Sequence, residues 1–402
     1  MNASTSVSLV REYLLLGLRF DRIEEGYVDS FTGDPALRQL VAAEPRPDPA
    51  DLARQAERLA AEVPSAGLEP ERADYIAAHL RALACAGRKF AGEDVGFVDE
   101  VAAYFDVHIS KGDPERYREA HRRLDEVLDG SGPLAERMQA YRAAEEIPPA
   151  RLEEAIHAFS SALRDRVRAE YPLPDTETIT YEVVTDKPWS GFNYYLGNYT
   201  STVAVNADLK QQMSNLPRLV AHESYPGHHT EHCRKEAGLV ERRGQAEQTI
   251  FLVNTPQCLM AEGLADLALY AAIGPEWGSW AAEIYADLGL RFDGERAQAV
   301  SEATAALADV RQDAALMLHD EHRDVDEVVE FLKRWLLVND ERARQMLRFL
   351  SSPLWRAYTS TYVEGYRLLR EWLDARPDGV NLTQRFTTLL DEPLIPSSLR
   401  AA

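Results

Sequence analysis

Apolar residues recur at helical spacing from Val7 to about Asp29, which predicts a first helix burying the stripe Tyr13-Leu14-Leu15-Leu16-Gly17-Leu18. Glu44-Pro-Arg-Pro-Asp-Pro49 breaks the pattern, and a second helix is expected to begin near Asp51. Ala53–Ala61, Ala73–Ala86, Pro114–Leu128, Leu134–Ala144 and Ala150–Tyr171 then follow, all rich in Ala, Leu, Glu and Arg. Everything up to about residue 172 reads as a helical lobe.

The period changes after Pro172-Leu-Pro174, where β-branched and aromatic residues take over. Ile179–Val184, Phe192–Tyr195 and Tyr199–Val205 predict a small antiparallel sheet at about 177–206, with turns at Gly191 and Gly197-Asn198. No other stretch reads convincingly as strand. Helices are expected from Leu216 to the C-terminus, interrupted at Gly274-Pro275, Ser351-Ser-Pro353 and Arg376-Pro377. The predicted class is mainly α, with residues 1–172 as the lobe and 173–402 as the region carrying the chemistry, in one compact unit.

The 402 residues are 45% hydrophobic and 27% charged, the balance of a folded chain rather than a disordered one. A formal charge of −22 disfavours nucleic acid and anionic membrane as partners. The apolar run in the first helix is flanked by Arg11, Glu12, Arg19 and Asp21 and is too short for a signal core or a span. Three widely spaced cysteines fit reduced thiols, and the expected location is the cytoplasm.

Chemistry concentrates in His222-Glu-Ser-Tyr-Pro-Gly-His-His229. A His-Glu pair on a helix opens the zincin signature, in which a second histidine one turn later completes the pair of zinc ligands and the glutamate activates water. Pro226 stands where that histidine belongs. On a regular helix His228 would lie about 120° around the axis from His222 and His229 about 10 Å along it, so neither would share an ion with His222. Pro226 should instead break the helix, because its ring collides with the carbonyl of His222, and Gly227 permits a bulge. A two-residue bulge restores the spacing and brings His228 beside His222; His229 is the alternative ligand, and otherwise contacts substrate or steadies the site.

A third ligand is needed. Thr255-Pro256 predicts a helix start, and Glu262 on that helix is the candidate, with Asp266 one turn on to orient His222. Tyr362, with Tyr366 and Arg367 as neighbours, is the candidate donor to a developing oxyanion, though Tyr362 and Tyr366 one turn apart fit a core pair equally well. Cys233 is a minor candidate ligand. The edge of the strand Thr200–Asn206 is a candidate cradle for an extended peptide.

His222–His229 followed by Glu262-Gly263 resembles the bacterial domain of unknown function 885 family, regarded as zinc metallopeptidases. The likeness extends to Leu9-Val-Arg-Glu-Tyr13, Gly26-Tyr-Val-Asp29, Pro353–Tyr358 and Tyr362–Arg367. It implies a helical zincin-like fold with His222, His228 and Glu262 on zinc and Glu223 as general base. The family's usual Glu-Gly-Trp-Ala is Glu262-Gly-Leu-Ala265 in this chain, which removes an aromatic from the pocket wall and keeps the ligand. The expected activity is hydrolysis of peptide bonds; the alternatives are a small-molecule amide as substrate, or a non-catalytic helical scaffold with a degenerate site.

Overall fold

The computed structural model describes residues 2–187 and 189–400. It is mainly helical. The dipeptide Asp-Pro starts three helices of the first lobe: Asp34, Asp48 and Asp113 each accept a backbone N–H, and the following proline occupies the first helical position of Pro35–Ala43, Pro49–Glu62 and Pro114–Val127. Pro70–Phe90, Leu134–Ala144 and Pro149–Glu170 complete the helices expected from composition.

The first helix departs from expectation. It spans Asn2–Asp21 and does not reach Asp29, because the Asp21 carboxylate accepts the amides of Gly26 and Val28 and turns the chain. Val28–Phe31 is then a strand, β1. Three more, β2 (Thr178–Val184), β3 (Gly191–Gly197) and β4 (Thr200–Asn206), lie near the expected bounds, and β5 is Ile250–Leu252. β1 and β5 form a two-stranded antiparallel sheet, so the region 177–206 is not the sole β structure.

The other sheet has the order β2-β4-β3 and is mixed: β3 and β4 are antiparallel, but β2 runs parallel to β4. The 185–199 segment separating them forms β3 on the far side of β4. The strand expected to offer a free edge, Thr200–Asn206, is therefore the central one and has none. The outer edge next to the histidine motif belongs to β3, where Asn193 donates from its side-chain amide to the backbone carbonyl of Glu223 at 2.6 Å.

One continuous apolar core joins both regions, from Leu9 and Leu16 of the first helix to Leu389 and Leu399 near the C-terminus. The Tyr13–Leu18 run is part of it, with Tyr13 and Leu16 fully buried. No helix among the described residues is long and apolar enough to cross a membrane.

Candidate metal centre

The helix carrying His222 and Glu223 spans Leu216–Glu223 and stops there; the next begins at His228 and runs to Lys235. Between them lies the break at Pro226, preceded by a cis peptide bond from Tyr225. The hydrogen bonds show how much chain is inserted. Gly227 N–H donates to the carbonyl of Ala221 and Thr230 N–H to that of Ser224, each six residues back instead of four, and Glu231 N–H returns to normal spacing on Gly227. Two extra residues are thus looped out. The loop is tight enough that a Cβ at Gly227 would stand 1.9 Å from the carbonyl oxygen of His222, which only glycine avoids.

The loop brings His228 level with His222, their rings perpendicular with centroids 4.7 Å apart. Both Nε2 atoms face Glu262, at 3.3 Å for His222 and 3.5 Å for His228. One nitrogen from each histidine and one oxygen from Glu262 lie within 4.8 Å of one another. The three side chains are 12, 12 and 8% exposed, so the group is enclosed but can be reached from solvent.

Glu262 lies on the helix Pro256–Asp266, whose predicted start at Thr255-Pro256 is observed, although the Thr255 hydroxyl bonds Leu252 O instead of capping it. Gly263 lets the segment Thr361–Gly365, a π-helical turn, come so close that a Cβ would meet the Gly365 carbonyl at 2.5 Å. That contact seats two tyrosines against the centre. Tyr358 donates to Glu262 Oε1 at 2.6 Å, leaving Oε2 buried without a hydrogen-bond partner. The Tyr362 ring lies 5.6 Å from that of Tyr358. Burial and the charges of Glu262, Asp266 and Glu223 push the Tyr362 phenol far up, so it stays a neutral donor.

Asp266 Oδ1 is 3.1 Å from His222 Nδ1; a carboxylate can only accept there, so the contact favours a proton on Nδ1 and holds the ring with Nε2 toward Glu262. Glu223 is 5% exposed and makes no side-chain hydrogen bond among the described residues; a Cβ at Gly191 of β3 would lie 3.1 Å from its Oε1. Burial raises its carboxyl above the usual range, opposed by His222 and His228.

Asp29 on β1 faces the same group. Burial pushes it up to about 7, with His228 opposing and the charges of Glu262 and Glu223 adding to the rise. Burial lowers the pKa of both histidines, but the neighbouring carboxylates outweigh it and raise both. Four carboxylates thus surround two imidazoles, a surplus of acidic groups at the centre. The donor set, one imidazole nitrogen facing each oxygen of the Glu262 carboxylate, is one that could hold a metal ion, and two imidazoles with a carboxylate fit the ligand preferences of zinc.

Not every expected residue is part of this group. His229 is fully buried and points the other way, with Nδ1 2.8 Å from Ser201 Oγ and Nε2 3.0 Å from Glu177 Oε2, so it does not join the ligand group and instead ties the motif to β4 and Glu177. Cys233 packs against His229 and Tyr195 within the core and joins no ligand group. Arg367 is paired with the buried carboxylates of Glu364 and Asp309 and makes no contact with the ligand group among the described residues. Tyr366 is exposed, which excludes it as a core partner for Tyr362. Tyr358, Asp29, Asn193 and Glu177 escape the sequence pattern. Only Tyr358, four residues before Tyr362, had a spacing that could have marked it.

No family model matches the sequence, and neither does any curated protein. Among solved structures, the chain is similar to one described as the putative lipoprotein from Colwellia psychrerythraea, at TM-score 0.51 and 15% identity over 87% of this chain. The match spans 65% of that protein's length. At this identity the likeness shows the fold alone.

Proposed function

We propose that this chain is a zinc-dependent hydrolase that cleaves amide bonds, with peptides as the first substrate class to test. The observation that carries this reading is the convergence of His222, His228 and Glu262 within 4.8 Å, beside a buried Glu223 whose carboxylate accepts no hydrogen bond among the described residues. The resemblance of His222–His229 and Glu262-Gly263 to the domain of unknown function 885 family supports the same conclusion. A zinc ion held by these three residues would supply a Lewis acid and make water acidic enough to attack at neutral pH.

The protein's own residues divide the remaining work. Glu223 takes a proton from the attacking water and returns it to the leaving nitrogen, a role suited to a carboxylate raised by burial. Tyr362 donates to the oxyanion, while Tyr358 holds Glu262. Asp266 keeps His222 in the ligating tautomer. The outer edge of β3, which passes Glu223 at Gly191, is placed to pair with an extended substrate. Three buried, unpaired cysteines support a reducing compartment such as the cytoplasm.

Metal analysis of the purified protein tests the reading directly. One zinc per chain is expected in the wild type and in His229→Ala, and loss of it in His228→Ala. Full zinc retention in His228→Ala, or none in the wild type, would overturn it.

A further inference from the structure

Glu100 is fully buried on the helix Phe97–Phe105 of the first lobe. Two cations from distant parts of the chain meet its carboxylate. Lys89, in the last turn of Pro70–Phe90, donates to Oε1, and Arg356 donates to Oε2, its Nε at 2.8 Å. Taking such charges out of water is expensive, and a buried ionic group adds little net stability over well-packed apolar side chains; its best-attested use is to fix one geometry. What this one fixes is the segment 352–358.

That segment is a run of turns after the helix Asp340–Ser351 and shortly before the π-helical turn Thr361–Gly365, so it has no helical ladder of its own. Side chains from elsewhere hold its backbone instead. His319 Nε2 lies 2.6 Å from the carbonyl oxygen of Leu350, Lys89 donates to that of Pro353 at 3.0 Å, and Asn254 to that of Leu354 at 2.9 Å. Arg356 is the segment's own reach back to the first lobe. Two residues further on, Tyr358 donates to Glu262 Oε1 at 2.6 Å and so sets how that carboxylate is turned toward His222 and His228. Ala357 between them is buried, so a shift at Arg356 is passed on to Tyr358 and not absorbed by loose chain.

We propose that Glu100 is a positioning residue for the candidate metal ligand Glu262, acting through Arg356 and Tyr358. The first lobe is then part of the construction of the centre and not only its cover. Without the Glu100–Arg356 pair the turns slacken, the Tyr358 hydroxyl leaves Glu262 Oε1, and the carboxylate is free to rotate away from the two imidazoles. The inference rests on the hydrolase reading for the metal it names, but its structural test does not.

Zinc affinity is measured by chelator competition on the full chain for the wild type, Glu100→Gln, Arg356→Gln, Tyr358→Phe and the double variant Arg356→Gln/Tyr358→Phe, each well below its melting temperature. Arg356→Gln guards against a Glu100 variant that fails to fold, because Lys89 still neutralises Glu100 in it. Tyr358→Phe should weaken zinc about 10- to 100-fold, as loss of a partner that touches a ligand does, and Glu100→Gln and Arg356→Gln about 10-fold. Because Arg356 acts through the Tyr358 hydroxyl, the double variant should lose no more than Tyr358→Phe alone. A network that only holds the fold would lower the melting temperature and leave zinc affinity unchanged, or would add its loss to that of Tyr358→Phe; either result overturns the proposal. A crystal structure of metal-free Arg356→Gln gives the readout that needs no zinc. The Tyr358 hydroxyl should be displaced from Glu262, and a bond kept at 2.6 Å would overturn the proposal as well. A wild type that takes up no zinc removes the hydrolase reading and leaves that displacement to decide; zinc uptake with additive losses keeps the reading and removes the positioning role.

Discussion

Two histidine–carboxylate clusters flank the bent motif, and the neighbouring residues His228 and His229 belong one to each. On the His229 side Glu177 is fully buried and fully paired: Arg164 and Arg168 meet Oε1 at 2.8 Å, while Tyr225 and His229 meet Oε2 at 2.8 and 3.0 Å. Burial raises its pKa, but these partners outweigh it and bring the carboxyl down to about 2. On the His228 side Glu262 keeps an orphaned oxygen, and carboxylates outnumber cations. The difference separates structure from chemistry. A cluster whose donors and acceptors all match holds the fold together, whereas one left unbalanced by its own chain is built for something from outside.

The largest expected effect concerns the unbalanced side. Glu223→Gln should lower hydrolysis by about 10²- to 10⁴-fold while zinc content stays at one per chain. Unchanged turnover would break the contrast at its root. On the balanced side, Glu177→Gln should cost about 1–3 kcal/mol of stability by weakening the buried hydrogen bonds of Tyr225 and His229, the two arginines being partly solvated, with zinc stoichiometry intact in the folded fraction; a chemical denaturation curve reads it. Zinc loss at unchanged stability would mean that the roles of the two clusters are reversed.

Asp266→Asn should weaken zinc binding about 10- to 100-fold, measured by competition with a chelator, because His222 loses the partner that sets its tautomer. Acid should act on the Glu177 cluster gradually. Its folded pKa lies below the ordinary 4.5, so its stabilisation is complete above that pH and drains away as pH falls toward about 2. In Glu177→Gln this part of the acid sensitivity should vanish. A melting temperature falling equally steeply in both proteins between pH 4.5 and 2 would count against it.

Much of the centre was legible because it follows from covalent constraints local to the motif. Pro226 cannot continue a helix, Gly227 can enter a crowded loop, and the two-residue offset follows from the spacing of the histidines. Glu262 was legible because the Thr255-Pro256 helix start gave its face a register. What escaped depends on partners distant in sequence. Val28–Phe31 is too short to show alternation, and its partner strand Ile250–Leu252 is wholly buried and shows none. Asp29 therefore stood out only as part of the Gly26–Asp29 likeness, with nothing in the apolar pattern to tie it to the centre. Glu177 lies in a proline-rich turn whose meaning depends on four residues from three other segments, and the parallel pairing of β2 with β4 could not be told from an antiparallel meander by composition.

The seam between β1 and β5 also sets a schedule. Thr32 and Thr249, hydrogen-bonded through their backbones at its end, are 217 positions apart. At ribosomal speeds of about 5–20 residues per second, β1 waits roughly 10–40 s for its partner to be synthesised. During that interval the first strand is an open edge on the nascent chain, and Asp29 has no centre to face. The helical lobe can fold as it emerges, but the His222–His228–Glu262 group cannot form until the segment carrying β5 and Glu262 has been made.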